Sequence, residues 1–377
     1  MKLILHIGTH KTGSTALQQF LCANPAVLAE FGIHYAVPRS SIKASAIVHA
    51  LRVDDRRCIH EFLTSHLEAA RRKKAHTLIV SAESFYAMTL VPALCRRESC
   101  EDLIDRDRVL INRLFASLPT DVSDLEIVCY FRRPDHFAEA WYNQQVKYGS
   151  LFFGDFPEFL ELVRPALLYN QHMSQWIDVF GRENCSVRMY ESIDKGIVAD
   201  FARGVLNTPE LSSFAPTPSE ANRRLSRDLL EFKRIVNRNV TYEEMGLERK
   251  IFEVLHESMG FLEAEPHYYQ AFLPPQERAE LLADLSEEMT ALQSSFGLPS
   301  FPGFERQAAT LDWKPYPGLS PARAEALERQ YRRVRGRPIF RAERLAVKSR
   351  GRPFLKALKS AIASPPFGVA FFQRLAR

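Results

Sequence analysis

No stretch of this 377-residue chain approaches the about 20 consecutive apolar residues that a membrane-spanning helix needs, so no such segment is expected. The first apolar run, Leu3-Ile4-Leu5-His6-Ile7, is too short for the apolar region of a secretory signal, and none is expected. Cysteine is sparse and scattered: Cys22, Cys58, Cys95, Cys100, Cys129 and Cys185 form no C-x-x-C pair. Cys95 and Cys100 are near enough in sequence to approach each other, but metal-ligand spacing is lacking. A reducing, cytoplasmic setting without a structural metal is the expectation. The sequence shows no internal repeat. What remains, 46% apolar and 25% charged residues, is the balance of a soluble globular protein. The length suits one large α/β domain, or such a domain with appendages.

Acid is nearly missing from the end of the chain. Residues 329–377 hold 14 Lys/Arg against the single acid Glu343, a net +13, while the preceding 328 residues carry −8. A mildly acidic body followed by a basic tail is the simplest description. The tail also carries Ile339, Phe340, Leu345, Val347, Phe354, Leu355, Leu358, Ile362, Phe367, Val369, Phe371 and Phe372. Leu355, Leu358 and Ile362 share a helical face beside Lys356 and Lys359, the pattern of a basic amphipathic helix. Contact with an anionic membrane surface at its cytoplasmic face is expected. Polyanion contact and docking of the tail on the acidic body stand as alternatives, and no specific nucleic-acid partner is expected.

The chain is organised around residues 3–21, LILHIGTHKTGSTALQQFL. A short apolar run of the kind a buried parallel strand shows is broken by Gly8. Gly13, Ser14 and Thr15 then lead into a helical pattern with Ala16, Leu17, Phe20 and Leu21. A strand, a glycine-containing loop and a helix N-terminus make an anion site: glycine admits close backbone approach, and the helix's first N–H groups and dipole favour negative charge. Lys11 adds a cation, and the hydroxyls of Thr12, Ser14 and Thr15 add donors. Phosphate is the natural ligand. In nucleotide triphosphatases the lysine directly follows the last glycine and a Ser/Thr then holds magnesium. Here Lys11 precedes Gly13 by two residues and Ser14 takes the lysine's place, which suits triphosphate and Mg²⁺ chemistry poorly.

Further along, 32–38 reads as a short strand closed by Pro38, 56–75 as a helix with a basic end, and 77–80 as a strand ending in Ser81-Ala82-Glu83-Ser84. An amphipathic helix over 103–118 precedes a buried strand, 126–131, which runs into Arg132-Arg133-Pro134; 185–189 makes one more strand. Alternating strands and helices predict an α/β fold, a parallel sheet flanked by helices, with ligands gathered at the carboxyl ends of the strands. Helices alone are expected over 227–236, 243–258 and 275–296. The predicted organisation is therefore an α/β domain over 1–296 (sheet core 1–195, helical part 196–296), a Pro/Gly-rich linker over 297–328 and the basic tail over 329–377.

The order His10-Lys11-Thr12-Gly13-Ser14-Thr15-Ala16-Leu17 resembles the loop of P-loop sulfotransferases that use PAPS, 3′-phosphoadenosine 5′-phosphosulfate. The bacterial members, many acting on glycans or lipid-linked sugars, look most similar. The resemblance implies that Lys11, Thr12, Gly13, Ser14 and Thr15 cradle the 5′-phosphosulfate and that Lys11 stabilises the bridging oxygen as sulfate leaves. It implies PAPS as donor, PAP as product and no metal. The family's second motif has Arg at a strand end and Ser eight residues later, both on the 3′-phosphate. Arg132 matches, as do Pro134 and the pair Trp141-Tyr142, but the serine's place holds Ala140. A lost charge-assisted hydrogen bond is worth roughly 1.5–3 kcal/mol if buried; Arg133, a helix-terminal N–H or a water would have to compensate. Without the resemblance, Arg132-Arg133 reads as a surface charge pair. A basic loop that closes on the 3′-phosphate in this family makes Arg223 and Arg224 candidates, with helix-terminal surface charge the competing reading. The segment Arg188-Met189-Tyr190-Glu191 is a weaker match.

Transfer to a hydroxyl needs a base within hydrogen-bond reach of the acceptor. Glu83, after a strand end beside the loop, is the first candidate, and His49, in the Ser-rich segment after the second strand, is next. His10 is placed to hydrogen-bond the sulfuryl group. The plainer readings are a helix-start glutamate for Glu83 and a core or surface histidine for His49. The leading expectation is a PAPS-dependent sulfotransferase acting on a hydroxyl of a carbohydrate or lipid-linked glycan. A nucleotide kinase or other NTPase is the second reading. A non-catalytic PAP(S)-binding protein, favoured by Ala140, is the third.

Overall fold

The computed structural model describes residues 1–36, 45–96, 98–149, 152–214, 224–259, 271–300 and 313–344. Arg223, the Ser-rich residues 37–44 and the tail beyond 344 lie outside the described residues.

Five short strands, β1 Lys2–His6, β2 Ile33–Tyr35, β3 Thr77–Ser81, β4 Asp124–Phe131 and β5 Cys185–Met189, form one sheet in the order β2-β3-β1-β4-β5. Every pairing is parallel. The near-continuous apolar runs of β1 and β3 follow from this: a strand with parallel neighbours on both sides and helices on both faces has no wet side chain to offer. Alternation assigns the faces. Ile4, Ile79, Val128 and Tyr130 pack with Leu17, Phe20 and Leu21 of the helix Ser14–Ala23 and with Ile197 and Phe201 of the helix Ile197–Gly204. On the other face Phe131 stacks on Tyr169 of the helix Tyr169–Phe180, ring centroids 4.2 Å apart. The α/β architecture expected from the sequence is the one observed.

β1 lies centrally, and the chain steps to β3 and β2 on one side and to β4 and β5 on the other. That reversal of winding opens a crevice at the carboxyl ends of the strands. Along this edge come the Glu83–Phe85 turn after β3, the loop after β1, Arg132 after β4 and the Tyr190–Ser192 turn after β5.

The chain divides into two compact units. The first comprises Met1–Tyr142, Asp155–Arg223 and Ala271–Asp312 and contains the whole sheet. Its helix expected over 275–296 is interrupted at Leu285, giving Pro275–Asp284 and Ser286–Phe296. The second comprises Asn143–Gly154, Arg224–Gln270 and Trp313–Arg377. Its centre is polar as well as apolar. Lys233 donates to Asn237, whose amide donates to the carbonyls of Val146 and Phe152, and buried Glu248 accepts from the Tyr331 hydroxyl at 2.8 Å. The sequence-based limit between linker and tail, 328/329, falls inside the helix Pro321–Arg335. Leu327, Tyr331 and Val334 recur on one buried face of it, Arg329, Arg332 and Arg333 are exposed as on the solvated side of an amphipathic helix, and Arg335 pairs with buried Glu248. Cys22, Cys58, Cys100, Cys129 and Cys185 form no disulfide among the described residues.

Candidate active site

The loop after β1 is fixed from below by its neighbour strand. The N–H groups of Ile7 and Thr9 donate to the carbonyls of Val128 and Tyr130, extending the β4 pairing past His6. The Thr9 hydroxyl donates to Tyr130 O and the Thr12 hydroxyl to Thr9 O, at 3.0 and 2.7 Å. Thr12 therefore braces the loop with its single proton and offers an incoming anion its backbone N–H. Lys11 and Gly13 both adopt left-handed backbone, φ 67° and 81°. For lysine this conformation costs on the order of 1–2 kcal/mol, which the surrounding bonds must hold in place. At Gly13 a side chain is doubly excluded, since a Cβ would also lie 3.1 Å from the Ile197 methyl.

Alternation of left- and right-handed residues turns successive N–H groups inward, a concavity that binds anions. The N–H groups of Lys11, Thr12, Gly13, Ser14 and Thr15 find no acceptor among the described residues, the helix's first internal bonds being those of Ala16 and Leu17 to Gly13 O. Two cations converge here. Arg132 donates through Nη1 to Lys11 O at 3.3 Å, and its buried Nε makes no hydrogen bond among the described residues. Burial, and then the nearby Arg132, push the Lys11 ammonium below its ordinary pKa. Both facts describe positive charge gathered without a full set of partners, and a phosphate-bearing ligand fits that donor set.

The opposite side of the loop is of other character. Glu83, on the turn after β3, accepts from Gln18 Nε2 at 2.8 Å. Burial pushes its carboxyl up, but His10, its own backbone, Gln18 and His6 together hold it below the ordinary carboxylate range. Burial lowers His10, with Glu83 opposing, and its ring stacks on Trp141 at 5.1 Å, nearly parallel. Beneath them buried His6 shares a 2.8 Å hydrogen bond with Ser81, and burial brings it down to about 4, so it is neutral at physiological pH. An anionic carboxylate at this edge can accept a proton.

Of the residues expected from the sequence, Lys11–Thr15, His10, Glu83 and Arg132 come together at this edge. His49 is exposed on the helix Ser45–Arg52, which packs on the Glu83–Phe85 turn, and it has no side-chain partner among the described residues. Ala140 is partly exposed on the helix Pro134–Gln144 that Arg132 precedes. Arg224 belongs to the second unit. Arg133 is no substitute donor for the missing serine. Only 1% of its side chain is exposed, and it is bound bidentately to Asp135 at 2.7 and 2.8 Å. Sequence reasoning missed Gln18 and Ser81, which orient Glu83 and His6. A signal for Gln18 exists: it is a polar residue next to Leu17 on a face otherwise turned to the core.

Among the described residues no group of three or more His, Cys, Asp or Glu side chains is placed to hold a metal ion, and no helix is long and apolar enough to cross a membrane. No protein-family model matches the chain, and no curated protein matches it. A crystal structure of a sulfotransferase from Alicyclobacillus acidocaldarius is similar at 15% identity and a TM-score of 0.38, over 80% of this chain and 98% of that one.

Proposed function

We propose that this chain is a sulfotransferase that moves the sulfuryl group of PAPS to a hydroxyl of a carbohydrate or lipid-linked glycan. The observation that carries the reading is the loop: five successive backbone N–H groups without acceptors among the described residues, beside Lys11 and Arg132, directly after the central strand. When bound, PAPS supplies an activated sulfate whose departure leaves negative charge on phosphate. The loop N–H groups and the Lys11 ammonium stabilise that charge as it builds, and a lysine whose charge is already costly gains most from it. Arg132 takes the 3′-phosphate. Glu83, anionic and held by Gln18, accepts the acceptor's proton, and His10, fixed against Trp141, stands between the two sides. The acceptor class rests on the resemblance of the loop to that of bacterial sulfotransferases.

Calorimetry with PAP and with ATP, each with and without Mg²⁺, tests the reading: PAP binding that is independent of Mg²⁺ and stronger than that of ATP is expected. Mg²⁺-dependent ATP binding in its place would overturn it. One observation favours a second reading, a non-catalytic PAP(S) binder: Ala140 offers no hydroxyl where the resemblance expects one. PAP binding without turnover on any glycan acceptor would select it. We also propose that the basic end of the chain, net +13 over 329–377, contacts an anionic membrane. Salt-sensitive sedimentation with anionic vesicles, lost on truncation after Arg344, is the expected result; equal sedimentation of both chains would remove the tail from that role.

A further inference from the structure

Glu191 stands in the turn Tyr190–Ser192, immediately after β5, and reaches across to the end of β4. One of its oxygens, Oε2, accepts from the Arg133 backbone N–H at 3.0 Å. The other, Oε1, lies 3.6 Å from Arg132 Nε and 3.4 Å from His136 Nδ1. The tautomer of His136 follows from its other contact. Arg133 Nη2 lies 2.7 Å from His136 Nε2, and a guanidinium can only donate. Nε2 therefore accepts, the ring proton sits on Nδ1, and it is directed at Glu191. Arg133 is in turn held by Asp135, and Asp135 and Glu139 both engage buried Arg278 on the helix Pro275–Asp284. A chain of charge-assisted contacts, buried up to the half-buried His136, thus ends on one carboxylate, and that carboxylate faces Arg132.

We propose that Glu191 is a positioning residue that sets the direction of Arg132. Its charge holds the Nε edge of the guanidinium, and the Tyr169 hydroxyl fixes the Arg132 carbonyl at 2.8 Å. The Nη edge is left toward the loop, where Nη1 already meets Lys11 O. Without this hold a long side chain spreads over several rotamers, and the fork that grips a phosphate has to be ordered at the cost of binding. The inference rests on the reading of Arg132 as the 3′-phosphate ligand, and its test separates the two.

PAP and adenosine 5′-monophosphate differ by the 3′-phosphate alone, so the ratio of their affinities reads that contact. Glu191→Gln preserves size and one acceptor for Arg133 but turns an amino group toward Arg132. The expected result is a PAP-to-AMP ratio reduced about tenfold, with AMP affinity and thermal midpoint close to those of the parent protein. Arg132→Ala is measured beside it. A reduced ratio in Arg132→Ala with an unchanged ratio in Glu191→Gln overturns the positioning role and leaves the 3′-phosphate assignment standing. A ratio that rises in Glu191→Gln also overturns it, since the carboxylate would then be a competing counter-ion. An unchanged ratio in Arg132→Ala removes both.

Discussion

Two neighbouring regions at the end of β4 are built from the same residue types and treat them oppositely. Behind the strand end, Arg133, Asp135, Glu139 and Arg278 form a buried cluster in which carboxylates and guanidiniums face each other. In front of it stand two cations, Arg132 with the carboxylate Glu191 on its Nε edge and Lys11, and a row of N–H donors unpaired among the described residues. Adjacent arginines thus have separate uses. In the first region charge is neutralised and the contacts hold the helix Pro134–Gln144 in place. In the second it is left partly unmet, and an anion is what would complete it. Buried charge that is fully paired signals architecture; charge that is half-paired at a crevice signals a site.

Removing one member of the paired cluster gives the largest expected effect. Asp135→Ala leaves Arg133 and Arg278 buried against each other and should cost about 3–5 kcal/mol of stability. Urea denaturation reads this directly, and a loss under about 1 kcal/mol would mean that the cluster is not the anchor described. In the unpaired region the corresponding change should spare the fold and strike turnover. Lys11→Ala is expected to lower sulfuryl transfer about 100- to 1000-fold with an unchanged melting temperature. Unchanged turnover would remove the loop from catalysis.

Between these lies an effect of pH. Burial holds His6 and His172 down to about 4, against an ordinary 6.5, so the unfolded chain binds more protons than the folded one in this interval. The stability that comes from keeping them neutral is fully present above about 6.5 and falls as pH drops from there toward 4, by up to roughly 3 kcal/mol for each histidine. His172, distant in sequence from the loop, gives the cleaner test: His172→Gln should flatten the fall of the urea midpoint over this range. A slope identical to that of the parent would show that His172 does not titrate on unfolding. The smallest expected effect sharpens the ligand side of the comparison. Ala140→Ser should tighten PAP by about 0.5–1 kcal/mol if a hydroxyl there reaches the 3′-phosphate, and an unchanged affinity would place the second motif out of register.

Strand positions were legible because the signal is local. Apolar runs such as Leu3–Ile7 and Glu126–Phe131 are what a doubly covered parallel strand requires, and the rule that ligands gather at the carboxyl ends of parallel strands then brings Lys11, Glu83 and Arg132 to one edge from sequence alone. The helix Pro321–Arg335 was obscured because local charge outweighed a periodic signal: its arginines masked Leu327, Tyr331 and Val334. The second unit is likewise assembled from three separate chain segments, and nothing in any one of them announces the other two.

By itself, then, the sequence determined the strand–loop–helix anion site, the α/β alternation and the identity of the residues at the crevice, because each depends on neighbours within a few positions along the chain. Only the tertiary structure decided which of two adjacent arginines is buried, that the Thr12 hydroxyl points back into the loop, and that Glu191 after β5 faces Arg132 after β4. It also decided that Gln18 holds Glu83. Apart from the Thr12 hydroxyl, whose partner Thr9 is 3 residues away, these outcomes turn on partners far along the chain, 55 residues for His136 with Glu191 and 143 for Asp135 with Arg278. Whether a charge is spent on architecture or left for a ligand depends on what packs against it, and packing is settled only when distant segments meet.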